Sequence, residues 1–289
     1  MSTPLRAQTF AVLDFETTGL DPDAGIAEVA VVHVRLGELP RLVLHARVDP
    51  ERPMSEGAAR VTGLRDEDLA GCPTWAGVAP QVEAALAGCV SVAYNVPADF
   101  VWGRSASRRA GTRWVPLDAW LDACVLVKEL DRFRPEKSLA AACLRRGIAV
   151  DAHGAAGDAL ATALLLPRLL EEWAESGEGM SYEEPAEVLT RTLRDMALAQ
   201  EVDFCEFVRR KHGTHNPRPR CPWHELLGVA PPDWPEHKPR GRCQLCGADG
   251  VVYRVKRDGQ VGAWLDDAPH VCPEPTTAPA PYADEDIPW

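Results

Sequence analysis

The chain has 289 residues, 46% of them hydrophobic, and carries 43 Asp and Glu against 31 Lys and Arg, a formal net charge of -12. That length supports one large core plus a smaller module, and the acidic balance argues against broad, non-specific coating of nucleic acid. No apolar run approaches the ~18 residues of a membrane span and the start carries no secretory pattern, so an intracellular, cytoplasmic protein is expected. Three opening strands are predicted at about 8 to 16, 25 to 36 and 41 to 48. In the third, Leu42, Leu44, Ala46 and Val48 alternate with Val43, His45 and Arg47, the period of a strand with one drier face. A helix near 76 to 87, a strand at 89 to 94, a short strand near 118 and helices near 137 to 147 and 156 to 173 follow. Glu175-Ser176-Gly177-Glu178-Gly179 reads as a linker. Beyond it, Leu189, Leu193, Met196 and Leu198 predict one helix, and Phe204, Phe207 and Val208 a second that leads into Arg209-Arg210-Lys211. With Arg218, Arg220 and Trp223 this region is either a surface that tracks a nucleic-acid strand and stacks a base, or an accessory helical pair with a solvated basic end. The nine cysteines are an odd count. Cys72, Cys89, Cys124 and Cys143 lie in apolar segments, which suits buried thiols in a reducing compartment rather than a disulfide framework.

The chemistry concentrates in three motifs. Asp14-Phe15-Glu16-Thr17-Thr18-Gly19-Leu20 ends the apolar run Phe10 to Leu13. Alternate strand residues share a face, so Asp14 and Glu16 project together from the rim of a buried sheet. Two carboxylates ~4 Å apart repel by about 4 kcal/mol at an effective dielectric of ~20, so such a pair is solvated, protonated or bridged by metal. The bland alternative, an acidic strand end facing water, is disfavoured by the carboxylates downstream. Tyr94-Asn95-Val96-Pro97-Ala98-Asp99 follows a second short apolar run, where Asn95 and Pro97 break the strand and start a helix near Asp99. His153-Gly154-Ala155-Ala156-Gly157-Asp158 leads into the helical pattern from Ala159 to Trp173. Five helical residues at 100° each would turn His153 and Asp158 to different faces, so His153 belongs to the preceding loop and Asp158 to the first helical turn.

Asp-x-Glu, Asn-x-x-x-Asp and His-x-x-x-x-Asp in this order and spacing resemble the DnaQ-like family of 3′-to-5′ exonucleases, in the subgroup named for four acidic residues and a histidine. The resemblance covers about residues 7 to 173. It takes in Gly25-Ile26-Ala27-Glu28-Val29-Ala30 as the second strand, Val61-Thr62-Gly63-Leu64 with Thr62 in place of the usual histidine, and Leu121-Asp122-Ala123-Cys124. Ala98 replaces the usual phenylalanine before the third acid. The resemblance implies a ribonuclease-H-like α/β fold, a mixed sheet flanked by helices, and hydrolysis assisted by two Mg²⁺ or Mn²⁺ ions, since an all-oxygen site selects hard cations. It implies further that Asp14 bridges both ions, that Glu16 and Asp158 hold the water-side ion, that Asp99 reaches the second, and that His153 is the general base. Thr17, Thr18, Leu20 and Asn95 are its substrate-binding candidates: backbone groups of Thr17 for the 3′ hydroxyl, Leu20 as a wedge against the last base. An RNA-trimming exoribonuclease and a non-catalytic single-strand-binding adaptor are the alternatives.

The remainder divides into an exonuclease domain over 1–175, an accessory helical region over 181–230, a zinc-binding module over 238–274 and a disordered acidic tail over 275–289. Cys243-Gln244-Leu245-Cys246 is a C-x₂-C knuckle. His270 and Cys272 return after a segment whose Val251, Tyr253 and Val255 alternate like a hairpin strand, as in a zinc ribbon stabilised by tetrahedral Zn²⁺. Cys221 with His224 offers a competing pair. The ending Asp284-Glu285-Asp286-Ile287-Pro288-Trp289 resembles the acidic C-terminal tip of bacterial single-stranded-DNA-binding proteins, with Trp289 where phenylalanine is usual. It suits docking on a basic-rimmed pocket of a replication or repair partner.

Overall fold

Apolar residues on both faces make β1 (Phe10–Thr17) a central strand, and Phe10, Ala11, Val12 and Leu13 are fully buried. It lies within a computed structural model that describes residues 3–149, 154–212, 221–230, 241–242, 249–255, 261–265 and 268–269. β2 (Ile26–Val34) pairs antiparallel with β1, and β3 (Arg41–Arg47) pairs antiparallel with β2. β3 has no buried residue. Its predicted drier face is blurred because the register shifts between Val31↔Leu44 and Val32↔Leu42, which leaves Val43 as an extra residue and Leu42 48% exposed.

Two short helices absent from the sequence prediction follow: α1 (Glu56–Thr62) and α2 (Asp66–Leu69). Ser55 caps α1 by accepting the Ala58 N–H at 3.1 Å, and Gly63 ends it at φ +72°. Then come α3 (Trp75–Leu86), β4 (Val90–Ala93), α4 (Val96–Ala110), β5 (Trp120–Asp122) and α5 (Ala123–Leu130). β4 joins β1 in parallel and β5 joins β4 in parallel, so the sheet order is β3-β2-β1-β4-β5. α6 (Leu139–Arg145) and α7 (Ala155–Glu175) complete this layer. On α7, Ala155, Ala159, Thr162, Leu166, Leu169 and Trp173 recur every three or four residues, and all are buried. That stripe packs on β1 and β2.

Phe15 marks the other face of β1. Its ring centroid lies 5.6 Å from Trp75 of α3 and 6.0 Å from Trp114, which itself stacks 5.7 Å from Trp120. Gly103 of α4 admits this cluster, since a Cβ there would stand 2.1 Å from the Trp114 ring.

α8 (Ala186–His212) is one continuous helix where the sequence predicted two. No Gly or Pro interrupts residues 186–212, so the weak stretch of the apolar pattern does not end it. Before it, the Leu5 N–H donates to the Glu184 carbonyl at 2.9 Å and the Ala186 N–H to the Thr3 carbonyl at 3.3 Å. Contacts divide the chain into two units, Met1–Met196 and Ala197–Pro288. The first therefore keeps the start of α8, with Leu189 and Leu193 in its core. The second holds the rest of α8, α9 (Pro222–Leu227), and an antiparallel sheet of β6 (Gly241–Arg242), β7 (Asp249–Val255), β8 (Val261–Leu265) and β9 (Ala268–Pro269) in sequential order. β7 and β8 form the hairpin that Val251, Tyr253 and Val255 suggest. The expected zinc ligands Cys243, Cys246, His270 and Cys272, and the tail from Asp284 to Trp289, lie outside the described residues. No helix among the described residues is long and apolar enough to cross a membrane.

Candidate active site

Strand periodicity and a helix start bring three carboxylates together. Asp14 and Glu16 leave the same side of β1, and Asp158 sits in the first turn of α7. One oxygen from each lies within 4.8 Å of the other two, and all three residues are partly exposed. Asp99 approaches from the first turn of α4 and is only 4% exposed. The backbone N–H of Phe15, between the two β1 acids, favours its charged form.

The crowding shows in proton affinity. Burial pushes Asp14 well above the usual carboxylate range, and the charges of Asp99, Asp158, Glu16 and Glu28 push it further. Glu16 is raised to about 7, chiefly by burial and then by Asp158 and Glu28. Asp99 is also raised well above normal, mainly by burial, against the opposing backbone hydrogen bonds. Oxygens this close call for shared protons or cations. The donor set is all carboxylate, which fits Mg²⁺ or Mn²⁺ and not a thiophilic metal.

Two acids that the sequence reading named only within family segments, Glu28 and Asp122, hold this arrangement in place. Glu28 stands opposite Glu16 in the β1–β2 register and is 6% exposed. One of its oxygens accepts the Ala155 N–H at 2.9 Å and the other lies 3.0 Å from His45 Nε2, so it anchors the start of α7, and with it Asp158. A carboxylate within a largely apolar strand was the available signal. Asp122, 3% exposed, accepts the N–H groups of Asn95 at 2.9 Å, Val96 at 3.2 Å and Cys124 at 2.9 Å. It thereby ties the entry of α4 to the start of α5. Its carboxyl is raised by burial despite Lys128 and these bonds.

The substrate candidates separate by role. Asn95 adopts φ +76°, a left-handed conformation that asparagine tolerates better than most residues, and its backbone N–H serves Asp122. The Thr17 hydroxyl donates to the Gly19 carbonyl at 2.7 Å, and the Thr18 hydroxyl accepts the Gly25 N–H at 3.0 Å. Gly25 is required there, because a Cβ would meet Pro50 at 2.6 Å. Both hydroxyls are thus committed to the turn, whereas Leu20 is 90% exposed. His153 lies outside the described residues; it precedes Gly154, which caps α7 with φ -158° and ψ 143°.

A mixed five-stranded sheet with helices packed on it, carrying acids on the central strand and on two helix starts, is a ribonuclease-H-like α/β fold. Residues 11–166, more than half of the chain, match the family model described as Exonuclease (RNase_T), and the chain belongs to that family. A DNA polymerase III subunit epsilon-like protein of Rhodobacter capsulatus is 33% identical over 174 residues, covering 58% of this chain and 24% of that protein. DNA polymerase III PolC-type of Thermotoga petrophila is 30% identical over 172 residues, covering 58% and 12%. The chain thus spans about a quarter or less of the length of these curated relatives. Among solved structures, E. coli Exonuclease I in complex with a dT13 oligonucleotide shares the fold, with a TM-score of 0.50 at 18% identity over 59% of this chain and 43% of that one.

Proposed function

We propose that this chain is a divalent-metal-dependent 3′-to-5′ exonuclease that releases nucleoside monophosphates from the 3′ ends of DNA. The observation that carries the reading is the convergence of Asp14, Glu16 and Asp158 within 4.8 Å. Asp99 is the largest charged contributor to the raised proton affinity of Asp14. When bound, a pair of Mg²⁺ or Mn²⁺ ions supplies activation of a water and stabilisation of the departing 3′ oxygen. Asp14, Glu16 and Asp158 would hold one of these ions, and Asp99 with Asp14 would hold the other. His153 accepts the proton of the attacking water, a role suited to an imidazole near neutral pH. Backbone groups around Thr17 position the 3′ hydroxyl, and Leu20 presents an apolar wedge to the last base. DNA as substrate is supported by the names of the polymerase-associated relatives. Spacing alone supports a structural Zn²⁺ held by Cys243, Cys246, His270 and Cys272, and composition alone supports partner docking through Asp284 to Trp289.

The test uses end-labelled single- and double-stranded DNA and RNA with Mg²⁺, beside Asp14→Ala. Laddering from the 3′ end of DNA that disappears in the variant is expected. Equal activity of the two proteins would discard the site, faster trimming of RNA would favour the exoribonuclease, and binding without cleavage would leave an adaptor.

A further inference from the structure

The second unit contains a cluster that the nuclease chemistry does not use. Glu201 and Cys205 lie four residues apart on α8 and so share a face of that helix. Cys221 immediately precedes α9 and His224 lies within it. Cys205, Cys221 and His224 are 3%, 2% and 5% exposed. The Glu201 carboxylate accepts the N–H groups of Trp223 at 2.8 Å and His224 at 3.1 Å, and it lies 2.5 Å from His224 Nδ1. One ligand atom from each of Glu201, Cys221 and His224 falls within 4.8 Å of the other two. The Cys205 Sγ adjoins that group, 3.4 Å from the Cys221 Sγ.

Buried thiols, an imidazole and a carboxylate at this range have three explanations: a disulfide, a hydrogen-bonded polar knot, or a metal. A disulfide requires sulfurs ~2.05 Å apart. Two sulfurs on one tetrahedral zinc, each ~2.3 Å from the metal, stand ~3.8 Å apart, and the observed 3.4 Å lies far closer to that spacing. The knot accounts for the Glu201 hydrogen bonds and for the thiol contact, but a metal accounts as well for two thiols, an imidazole and a carboxylate converging in one buried place. The 2.5 Å contact between a ring nitrogen and a carboxylate oxygen brings two metal-ligand atoms together, and a cation can bridge them.

We propose that Glu201, Cys205, Cys221 and His224 bind one Zn²⁺, at a site separate from the Cys243 and Cys246 knuckle. The mixed sulfur, nitrogen and oxygen donors suit zinc and exclude the hard cations of the nuclease centre. Binding releases the thiol protons. Four protein ligands leave no position for water, so the ion is structural. It clamps α8 to α9 across residues 213–220.

The full-length protein, purified without chelator, decides the matter by elemental analysis. Cys221→Ser and His224→Ala are each expected to lose one zinc per chain relative to wild type. A combined Cys243→Ser and Cys246→Ser variant is expected to keep that zinc. In wild-type protein, alkylation mapped by peptide mass spectrometry should be slow at Cys205 and Cys221 with zinc bound and fast in chelator, which needs no variant to fold. Unchanged zinc in the Cys221 and His224 variants, equal alkylation with and without chelator, or a Cys205–Cys221 disulfide in the native protein would each overturn the proposal. None of these readouts depends on nuclease activity.

Discussion

The two ligand clusters of this chain are built on opposite plans. Asp14, Glu16, Asp99 and Asp158 ride on elements whose packing is already complete: β1 is buried along its apolar stretch, and α7 is held to the sheet by an unbroken apolar stripe. Their mutual repulsion opposes folding, so in the proposed mechanism a cation would serve chemistry while the hydrophobic core holds the fold. Around Glu201, Cys205, Cys221 and His224 the proposed ligands are themselves part of the packing, with Val208 against the two cysteines. A site imposed on a stable scaffold and a site that creates its own scaffold should respond differently to the same insult. Chelation should remove activity from the first unit and order from the second.

The largest expected effect tests how far the first plan relies on its supports. Glu28 makes no contact with substrate in the proposed mechanism, yet it fixes the start of α7 through the Ala155 N–H. Glu28→Gln keeps the side-chain shape but weakens a charge-assisted bond, and activity should fall by about 10–100-fold, as for other groups that orient metal ligands. Circular dichroism and thermal unfolding should change little. Full activity would show that α7 needs no such anchor. Because a positioning role moves metal affinity, the Mg²⁺ concentration for half-maximal rate should rise in parallel.

Glu28 also shows where sequence legibility stops. Asp14 and Glu16 could be paired from strand periodicity, Asp99 from a strand broken by Asn95 and Pro97, and Asp158 from the start of a helical pattern. Each of those signals is local. Glu28 acts on a backbone group 127 residues away, and Asp122 joins two helix starts, facts that exist only once the sheet is assembled. The same limit applies to the second cluster: Cys221 and His224 are a visible pair, but Glu201 and Cys205 sit in a helix that the sequence reading split in two. α1 and α2 escaped because seven and four residues carry too little periodicity to declare themselves.

The next effect probes the scaffold alone. Gly103→Ala would place a methyl group 2.1 Å from the Trp114 ring, inside the cluster that backs β1 through Phe15. Overpacking of this kind costs about 1–3 kcal/mol. Denaturant unfolding should show that loss with zinc retention unaffected, since the second unit does not contain this cluster. An unchanged midpoint would mean that Trp114 gives way freely.

A smaller effect follows from the raised acids. In chelator, Glu16 in the folded protein binds its proton up to about pH 7, whereas an unfolded Glu titrates near ~4.3. The folded state therefore binds more protons than the unfolded chain between those values. Its contribution to stability is complete below the lower value and is lost as pH rises through the upper one. Asp14 and Asp99 act in the same direction. Melting of the chelated protein should fall between about pH 5 and about pH 8, Glu16→Gln should flatten that fall, and Mg²⁺ should restore stability at the alkaline end by binding only the folded state. A Glu16→Gln profile that superimposes on wild type would contradict the electrostatic picture of the cage.

The smallest effect separates substrate contact from turn architecture within one loop. Thr17 and Thr18 spend their hydroxyls on Gly19 and Gly25, so their side chains hold the turn that follows β1. Leu20, next along, is 90% exposed. An exposed apolar side chain contributes little to folding, so Leu20→Ala should shift stability by no more than ~0.5 kcal/mol. Burial against a terminal base is where its apolar surface would gain free energy, so KM for DNA should rise severalfold while kcat changes less. If KM and kcat both match wild type, Leu20 touches nothing in the complex, and selection for a chain end must come from the backbone around Thr17 instead.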